Sequence, residues 1–328
     1  MAAIEDAVAD GADIVNNSWG STPVTTPETD PLVIAYSAAV DAGVTVVFSA
    51  GNSGSAAMTI GSPSFGPKFI SVGGVDTGRL FANLLNVTGP GTVTAELIGL
   101  AALKGTGPMP TGAVSGVLKY DATNATGCTA FAPGYFSGTI AMVKRGTCAF
   151  SVKVTNAQAA GATAVIMVNN AAGAPIVMGA LEATTIPSWM VSMADGNSLI
   201  NWYTANPGTA TVDVLLEYGR FMTAALSDTI YTSSSRGPTP GMLIKPDLSA
   251  PSVNVLSSIS SGAGFDLYSG TSMAAPHVTG AAALIKQLHP DWTPAQIKSA
   301  LMTTTAQPAT LPADPTARGA GRLDLAHP

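Results

Sequence analysis

The sequence predicts an α/β fold in which a parallel sheet covered by helices is interrupted by an inserted mixed domain. Two observations support this prediction. The first 85 residues alternate between helical and strand patterns with short connections, which is typical of a parallel sheet covered on both faces. From about residue 86 to 218 the chain instead has short strands separated by glycine and proline.

The composition indicates a compact protein and argues against two classes of partner. Hydrophobic residues make up 46% of the 328 residues and charged residues 10%, so apolar material for a core is plentiful. The net charge is −6, and the basic residues do not cluster, which argues against binding to nucleic acid. No apolar run reaches the roughly 18 residues of a membrane helix. We therefore expect neither nucleic acid nor membrane as a partner.

The segment 1–85 supplies the first part of the predicted sheet. Its elements in order are a helix in "MAAIEDAVADGA", a strand in "DIVNNSWG", a helix in "PLVIAYSAAVDAG", a buried strand in "VTVVFSAGN" and a strand in "KFISVGGVD". A chain that opens directly on a helix resembles the middle of a domain, so we expect a fragment. Functional groups gather at the carboxyl ends of parallel strands, which here carry "NNSWG" and "SAGNSG".

The segment 86–218 is predicted to be a self-contained mixed domain. It has one clear helix, "SVKVTNAQAAGA", between the strands "GTIAMVKRG" and "TAVIMVNN", and it contains no histidine. Its two cysteines, Cys128 and Cys148, are either buried free thiols or a disulfide. The loop-rich surroundings lack metal-ligand spacing, which favours the disulfide, worth about 3 kcal/mol for a short loop.

The segment 219–328 ends in two predicted helices. The first begins within "SGTSMAAPH", runs through "AAALIKQLH" and stops at Pro290, and the second has Thr293 as its cap and Pro294 at its first position. Ser272 lies where a glycine-containing turn leads into the first of these helices. It is either a helix cap or a nucleophile whose oxyanion the helix N-terminus stabilises.

Three motifs together indicate a family. "GTSMAAPHVTGAAALI", "SAGN" at 49–52 and "NSWG" at 17–20 occur with "SSRGP", "KPDLSAP", "IKSALMTT" and "GAGRLD" in the order typical of subtilases, the subtilisin-like serine proteases. The resemblance covers residues 1–85 and 219–328. It departs from the family pattern at Ser252, where glycine is usual, and at Ser233, where phenylalanine is frequent.

The resemblance implies a set of site residues. It implies that Ser272 is the nucleophile and Asn52 the oxyanion donor. It also implies that Ser18, Trp19 and Gly20 form a substrate-binding wall, with Ala50 and Gly51 opposite.

The resemblance further implies an incomplete subtilisin-like core, secretion, and a peptide or protein substrate. The segment 86–218 resembles a protease-associated domain, expected to shape substrate access or mediate contacts. No cofactor is predicted; relatives often bind calcium, although no Asp-rich ligand spacing is present.

The sequence shows no base for Ser272. The family order is Asp, His and Ser, yet no histidine precedes Ser272. His277 lies five residues on, about 140° around the helix, and is expected to be a buried packing residue. His289 lies about 25 Å along the helix and is expected to cap its C-terminus, while His327 is in the tail. Among the aspartates before Ser272 are Asp13, Asp30 and Asp41, but without an imidazole these carboxylates have nothing to orient.

Three functions follow as hypotheses. The first is a serine endopeptidase by descent, with weak or no proteolysis from this chain because the Asp and His are missing. The second is slow ester hydrolysis through Ser272, and the third is a peptide-binding scaffold without catalysis. We also expect exposed sheet edges, so that the chain repacks, dimerises or needs an N-terminal segment.

Overall fold

The computed structural model describes residues 1–22, 25–260 and 264–326. It divides the chain into two compact units: a core unit of Met1–Arg79 with Leu226–Pro328, and an insert unit of Leu80–Ala225. The sequence placed these boundaries at residues 86 and 218. Residues 86 and 218 both lie inside continuous strands of the insert unit. The insert unit therefore begins before residue 86 and ends after residue 218.

The chain forms fourteen strands and seven α-helices in the described residues. In chain order they are α1 (Ala2–Ala9), β1 (Ile14–Asn17), α2 (Pro31–Asp41), β2 (Thr45–Ser49), β3 (Ile70–Asp76), β4 (Arg79–Gly89), β5 (Leu100–Lys104), β6 (Val114–Tyr120), β7 (Ile140–Lys144), α3 (Phe150–Ala159), β8 (Ala164–Val168), β9 (Ser188–Val191), α4 (Met193–Ala205), β10 (Thr211–Met222), β11 (Thr229–Ile230), β12 (Leu248–Pro251), β13 (Val255–Ser258), β14 (Phe265–Tyr268), α5 (Thr271–Leu288), α6 (Pro294–Thr303) and α7 (Pro315–Arg318).

The core unit is a parallel sheet between two layers of helices. β1, β2, β3 and β12 pair in parallel, and the short β11 pairs antiparallel with β3. Side chains along β2 alternate between the two faces: Val47 packs with α5 and α6, whereas Val46 and Phe48 pack with α1 and α2. β13 and β14 form a separate two-stranded hairpin.

Local sequence explains where the core helices begin. Asp30 caps α2, because its carboxylate accepts hydrogen bonds from the N–H groups of Leu32 and Val33, and Pro31 occupies the first turn. Thr293 and Gln296 form a reciprocal capping box at the start of α6. The predictions of Thr293 as the cap and Pro294 as the first helical residue agree with the structure.

The insert unit is a closed barrel with strand order β10-β4-β5-β9-β8-β7-β6. The pairs β6–β7, β7–β8 and β8–β9 are parallel. Inside the barrel, the indole of buried Trp189 donates to the side-chain oxygen of Asn83 at 2.9 Å. Two helices accompany the barrel, α3 and α4, whereas the sequence indicated only the first.

Among the described residues, none of the helices combines the length and the apolar character needed to cross a membrane.

Candidate active site

The ends of β1 and β2 bring two polar turns to one edge of the core sheet. The two strands are parallel, with Asn17 opposite Phe48. The residues that follow them, Ser18 and Ser49, therefore leave the sheet at the same edge. The first turn of α5 meets this edge, because the Ser18 hydroxyl donates to the carbonyl of Ser272 at 2.8 Å.

Helix α5 holds Ser272 in its first turn. The buried residues Ala274, Ala275 and Val278 lie on one face of the helix and pack against the sheet, which fixes its position. The N-cap residue is Gly270, which has no side chain with which to cap the helix. Ser272 is therefore not the helix cap, and that alternative from the sequence is wrong.

The hydroxyl of Ser272 is held by the main chain of the first polar turn. Its Oγ donates to the carbonyl oxygen of Ser18 at 3.2 Å, while the Ser18 hydroxyl donates back to the Ser272 carbonyl. Ser272 is half-buried and also lines an open cleft. The hydroxyl is thus accessible. It donates its hydrogen bond to a carbonyl oxygen, and a carbonyl oxygen cannot act as a general base.

The side chain of Asn52 is oriented by the residue next to Ser272. Its Oδ1 accepts from the Thr271 N–H at 2.9 Å and from the Thr271 hydroxyl at 3.1 Å. The same hydroxyl accepts from the N–H of Gly51 at 3.1 Å. With Oδ1 occupied by two donors, the amide Nδ2 faces away from them, and no acceptor among the described residues takes its protons. Asn52 lines the same cleft as Ser272.

The cleft has a volume of about 390 Å³. Its lining is polar, and none of the described residues that line it carries a carboxylate or an imidazole. The lining residues are Trp19, Gly20, Ser21, Thr22, Ser49, Gly51, Asn52, Ser53, Gly61 and Ser272.

The predicted wall residues divide into three groups. Trp19, Gly20 and Gly51 line the cleft directly. Ser18 acts through its two hydrogen bonds with Ser272. Ala50 is fully buried; its N–H donates to the carbonyl of Val72, and its carbonyl accepts from Gly61. Ala50 therefore does not line the cleft itself, and its predicted place in the substrate-binding wall stays a prediction.

Two histidines lie on or beside α5, and neither is bonded to Ser272. Nδ1 of His277 donates to the carbonyl of Met273 at 2.7 Å, and the side chain is exposed, so the predicted burial is wrong. His289 is the C-cap residue of α5, as expected, and its ring stacks on Trp292 with centroids 4.0 Å apart. His327 lies outside the described residues.

The three aspartates considered from the sequence have other roles. Asp13 is exposed and lies 4.0 Å from Lys286, and Asp41 pairs with Lys68 at the surface. Asp30 is buried. Burial raises the pKa of its carboxyl, but hydrogen bonds from Ser62, Thr25 and the first turn of α2 outweigh this and lower the pKa.

Several contributors to the site were missed by sequence reasoning. Thr271 orients Asn52. The sequence feature that could have identified Thr271 is its position inside the "GTS" motif, directly before Ser272. Ser21 and Gly61 line the cleft because residues 21 and 62 form an isolated antiparallel bridge, a non-local pairing that no local motif reports.

Within residues 1–22, 25–260 and 264–326, no group of three or more His, Cys, Asp or Glu side chains is placed to hold a metal.

Comparison with known proteins gives consistent matches. The model of the subtilase family matches residues 1–322. The chain is 34% identical over 316 residues to the minor extracellular protease Vpr of Bacillus subtilis, covering 93% of this chain and 36% of that protein. It is 33% identical over 325 residues to the subtilisin-like protease SBT1.7 of Arabidopsis thaliana, covering 93% and 41% respectively. The chain thus spans about two fifths of the length of these relatives.

A solved structure supports the fold class. The crystal structure of the psychrophilic subtilisin-like protease Apa1 from the Antarctic psychrotroph Pseudoalteromonas sp. AS-11 matches with a TM-score of 0.51 at 19% identity. The match covers 99% of this chain and 72% of that one, and at this identity it shows the subtilisin-like α/β fold alone. With the family model matching nearly the whole sequence, the chain belongs to the subtilase family.

Proposed function

We propose that the chain carries the nucleophile and the oxyanion site of a serine peptidase that cleaves peptide bonds. Ser272 Oγ attacks the carbonyl carbon of the scissile bond, and the oxyanion that forms accepts a hydrogen bond from Asn52 Nδ2. The observation that carries this proposal is the locking of Asn52 Oδ1 by two donors of Thr271, which leaves Nδ2 free at the cleft beside Ser272.

The helix supports the same role. In the described residues the N–H of Ser272 has no acceptor, as is usual in the first turn of a helix. It points from the positive end of an 18-residue helix. Two donors, this N–H and Asn52 Nδ2, would thus serve one oxyanion.

The substrate is proposed to be an extended peptide lying along Ser18, Trp19 and Gly20. Among the described residues the N–H and carbonyl of Gly20 have no hydrogen-bond partner, so both are available to a peptide main chain. A Cβ at Gly20 would lie 2.9 Å from the carbonyl oxygen of Ser62, so glycine permits the close approach of the two segments. Trp19 is 44% exposed and offers an apolar surface to a substrate side chain.

We propose that the base comes from polypeptide outside this chain, so that this chain alone hydrolyses peptides weakly or not at all. β1 has β2 as its only strand neighbour among the described residues, so one of its edges is open. The adjoining face of α5 is exposed through Pro276, His277, Gly280, Ala283 and Leu284, and these residues include no Asp, Glu, Lys or Arg. An open strand edge beside an apolar helix face favours association.

The proposed occupant is a strand-and-helix segment of a longer subtilase polypeptide, since the relatives are more than twice as long. Size-exclusion chromatography with light scattering tests this. A stable monomer that binds no apolar dye contradicts an open surface, and a homodimer indicates that a second copy takes the place of the segment.

Secretion and the identity of the insert unit complete the proposal. The Cys128–Cys148 disulfide fits an oxidising compartment, and one relative is named an extracellular protease.

We propose that the insert unit, with its β7–α3–β8 order, is a protease-associated domain that shapes substrate access.

Covalent labelling tests the assignment of the nucleophile. A fluorophosphonate should label Ser272 slowly, as read by peptide mass mapping, and Ser272→Ala should abolish the label. Ser53→Ala is the matched control, since Ser53 lines the same cleft and should leave labelling unchanged. Label on another residue contradicts the proposal.

Activity assays separate the alternatives. Hydrolysis of an activated ester that depends on Ser272, without peptide cleavage, supports the slow ester hydrolase. Peptide binding with neither label nor turnover supports the scaffold. Peptide cleavage at rates typical of the family contradicts the proposed lack of a base.

A further inference from the structure

Helix α3 of the insert unit buries a lysine against the disulfide. Lys153 has a relative exposure of 0%. Its Nζ donates to the carbonyl oxygen of Thr126 at 2.6 Å and lies 3.3 Å from Sγ of Cys128. Cys128 in turn is bonded to Cys148. The amine therefore contacts one sulfur of the pair, and no hydrogen bond joins it to the other.

In the disulfide form, the charge of Lys153 has no counterion among the residues that the structure describes. Among the described residues, no carboxylate forms an ion pair with it. Burial lowers the pKa of its ammonium group, because an ammonium removed from water without an anion is unfavourable. A carbonyl and a disulfide sulfur only partly replace the lost water.

Opening the disulfide would provide the missing anion. A thiolate on Cys128 would lie beside the Lys153 ammonium, and a neighbouring lysine is one of the features that lower the pKa of a cysteine. In thiol–disulfide exchange, the sulfur that leaves faster is the one whose thiol has the lower pKa. The contact thus makes the two sulfurs chemically unequal.

We propose that this disulfide is a site of modification by small thiols such as glutathione. The incoming thiolate attacks Sγ of Cys148 and forms a mixed disulfide there. The bond between Cys148 and Cys128 breaks, and its electron pair leaves on Cys128 as a thiolate held by Lys153. One disulfide and one thiolate are consumed and one of each is formed, so no further oxidant or reductant is needed.

The surroundings of the two cysteines favour attack on Cys148 with Cys128 as the leaving thiolate. Nδ2 of Asn156, on the same helix as Lys153, donates to the carbonyl of Gly127 at 2.8 Å. Together with the bond from Lys153 to Thr126, this ties the loop 126–128 to α3, so Cys128 stays at the amine after the bond opens. Cys148 is half-buried and lies between the exposed residues Thr147, with φ of 69°, and Ala149, so the chain on both sides of it is open to solvent.

Single-cysteine variants of the full chain test the asymmetry. In Cys148→Ser, the remaining Cys128 should be alkylated by iodoacetamide with a thiol pKa below the usual value of about 8.5. In Cys128→Ser, the remaining Cys148 should show an ordinary pKa. Equal pKa values for the two thiols would overturn the proposal.

Exchange with glutathione provides the second test. Acid-quenched reactions mapped by mass spectrometry should place glutathione on Cys148. Lys153→Met should slow the exchange by about tenfold or more and remove the preference between the sulfurs. Lys119→Met, which removes a lysine that contacts Tyr135 instead, is the matched control and should change neither. Glutathione on Cys128, or an unchanged rate in Lys153→Met, would contradict the proposal.

Discussion

Replacing Thr271 with valine tests how the site is held together. The Thr271 hydroxyl is buried and joins two site residues: it donates to Oδ1 of Asn52 and accepts from the N–H of Gly51, both at 3.1 Å. Valine has nearly the same shape but makes neither bond. The N–H of Gly51 then has no acceptor, whereas Oδ1 of Asn52 keeps its bond from the Thr271 N–H.

The expected loss follows from these contacts. The half-buried N–H of Gly51 loses its acceptor beside the buried Thr271 side chain, which costs about 1–3 kcal/mol, so Thr271→Val should lower the free energy of unfolding of the core unit by that amount. Thr271→Ser keeps both hydrogen bonds and loses only a methyl group, so it should lose about 1 kcal/mol or less.

Peptide-resolved hydrogen exchange in increasing urea measures this free energy for the core unit separately from the insert unit. Compared with the serine variant, the valine variant should lose more protection from hydrogen exchange, and this difference should be greatest around Gly51. If the valine variant matches the serine variant within about 0.5 kcal/mol, the hydroxyl does not hold Gly51 and Asn52, and the proposed oxyanion site loses this support.

Three further predictions concern stability. Asp247 is 6% exposed and pairs with both Lys245, 2% exposed, and Lys298, 17% exposed, so Asp247→Asn should cost about 3–5 kcal/mol by urea denaturation. The triple change Lys245→Met, Lys298→Met and Asp247→Leu should recover part of this loss, and an equal loss would contradict a buried ion network. The hydrogen bonds to Asp30 lower its pKa, so its contribution is present above the unfolded pKa and is lost as pH falls through the folded pKa. Stability measured between pH 6 and 2 should therefore fall less steeply in Asp30→Asn, and parallel curves would refute this. A Cβ at Gly196 would lie 2.2 Å from Cγ1 of Val168, so Gly196→Ala should destabilise the insert unit by about 1–3 kcal/mol, and an unchanged melting temperature would show that the helix shifts freely.

The elements with strong local signals were predictable from the sequence. α2 and α6 begin where Asp30 and Thr293 cap them, and α5 ends before Pro290 as expected. Prolines and capping side chains act on the adjacent backbone, so the sequence reports them directly.

Non-local pairing was not predictable in the same way. β10 pairs with β6 and is adjacent to β4 in the closed barrel, and these contacts join residues more than ninety positions apart. The sequence boundaries at 86 and 218 cut through β4 and β10 because alternating apolar residues do not reveal which strand is the partner. α4 was missed because its pattern, "MADGNSLINWYTA", contains glycine and asparagine, which are poor helix formers.

At the site, the sequence predicted the residue types better than their environments. It named Ser272 and Asn52, and the structure brings both to one cleft, although their catalytic roles stay predictions. It expected His277 to be buried, yet α5 exposes that face, because the sheet packs only against the opposite face of the helix.

We propose that Ser272 lies in an oxyanion site and receives no base from this chain, and chemical rescue by free imidazole is the decisive experiment. Free imidazole should accelerate the fluorophosphonate labelling of Ser272 in proportion to its concentration, because it supplies the missing base. Asn52→Asp keeps the acceptor for Thr271 but lacks the Nδ2 donor, so its labelling should be slower by about 10²–10³-fold, a magnitude taken from subtilisin rather than from this chain. Rapid labelling of Ser272 that is insensitive to imidazole would show that a base within this chain already activates Ser272. That result would contradict the proposal that the base comes from outside this chain.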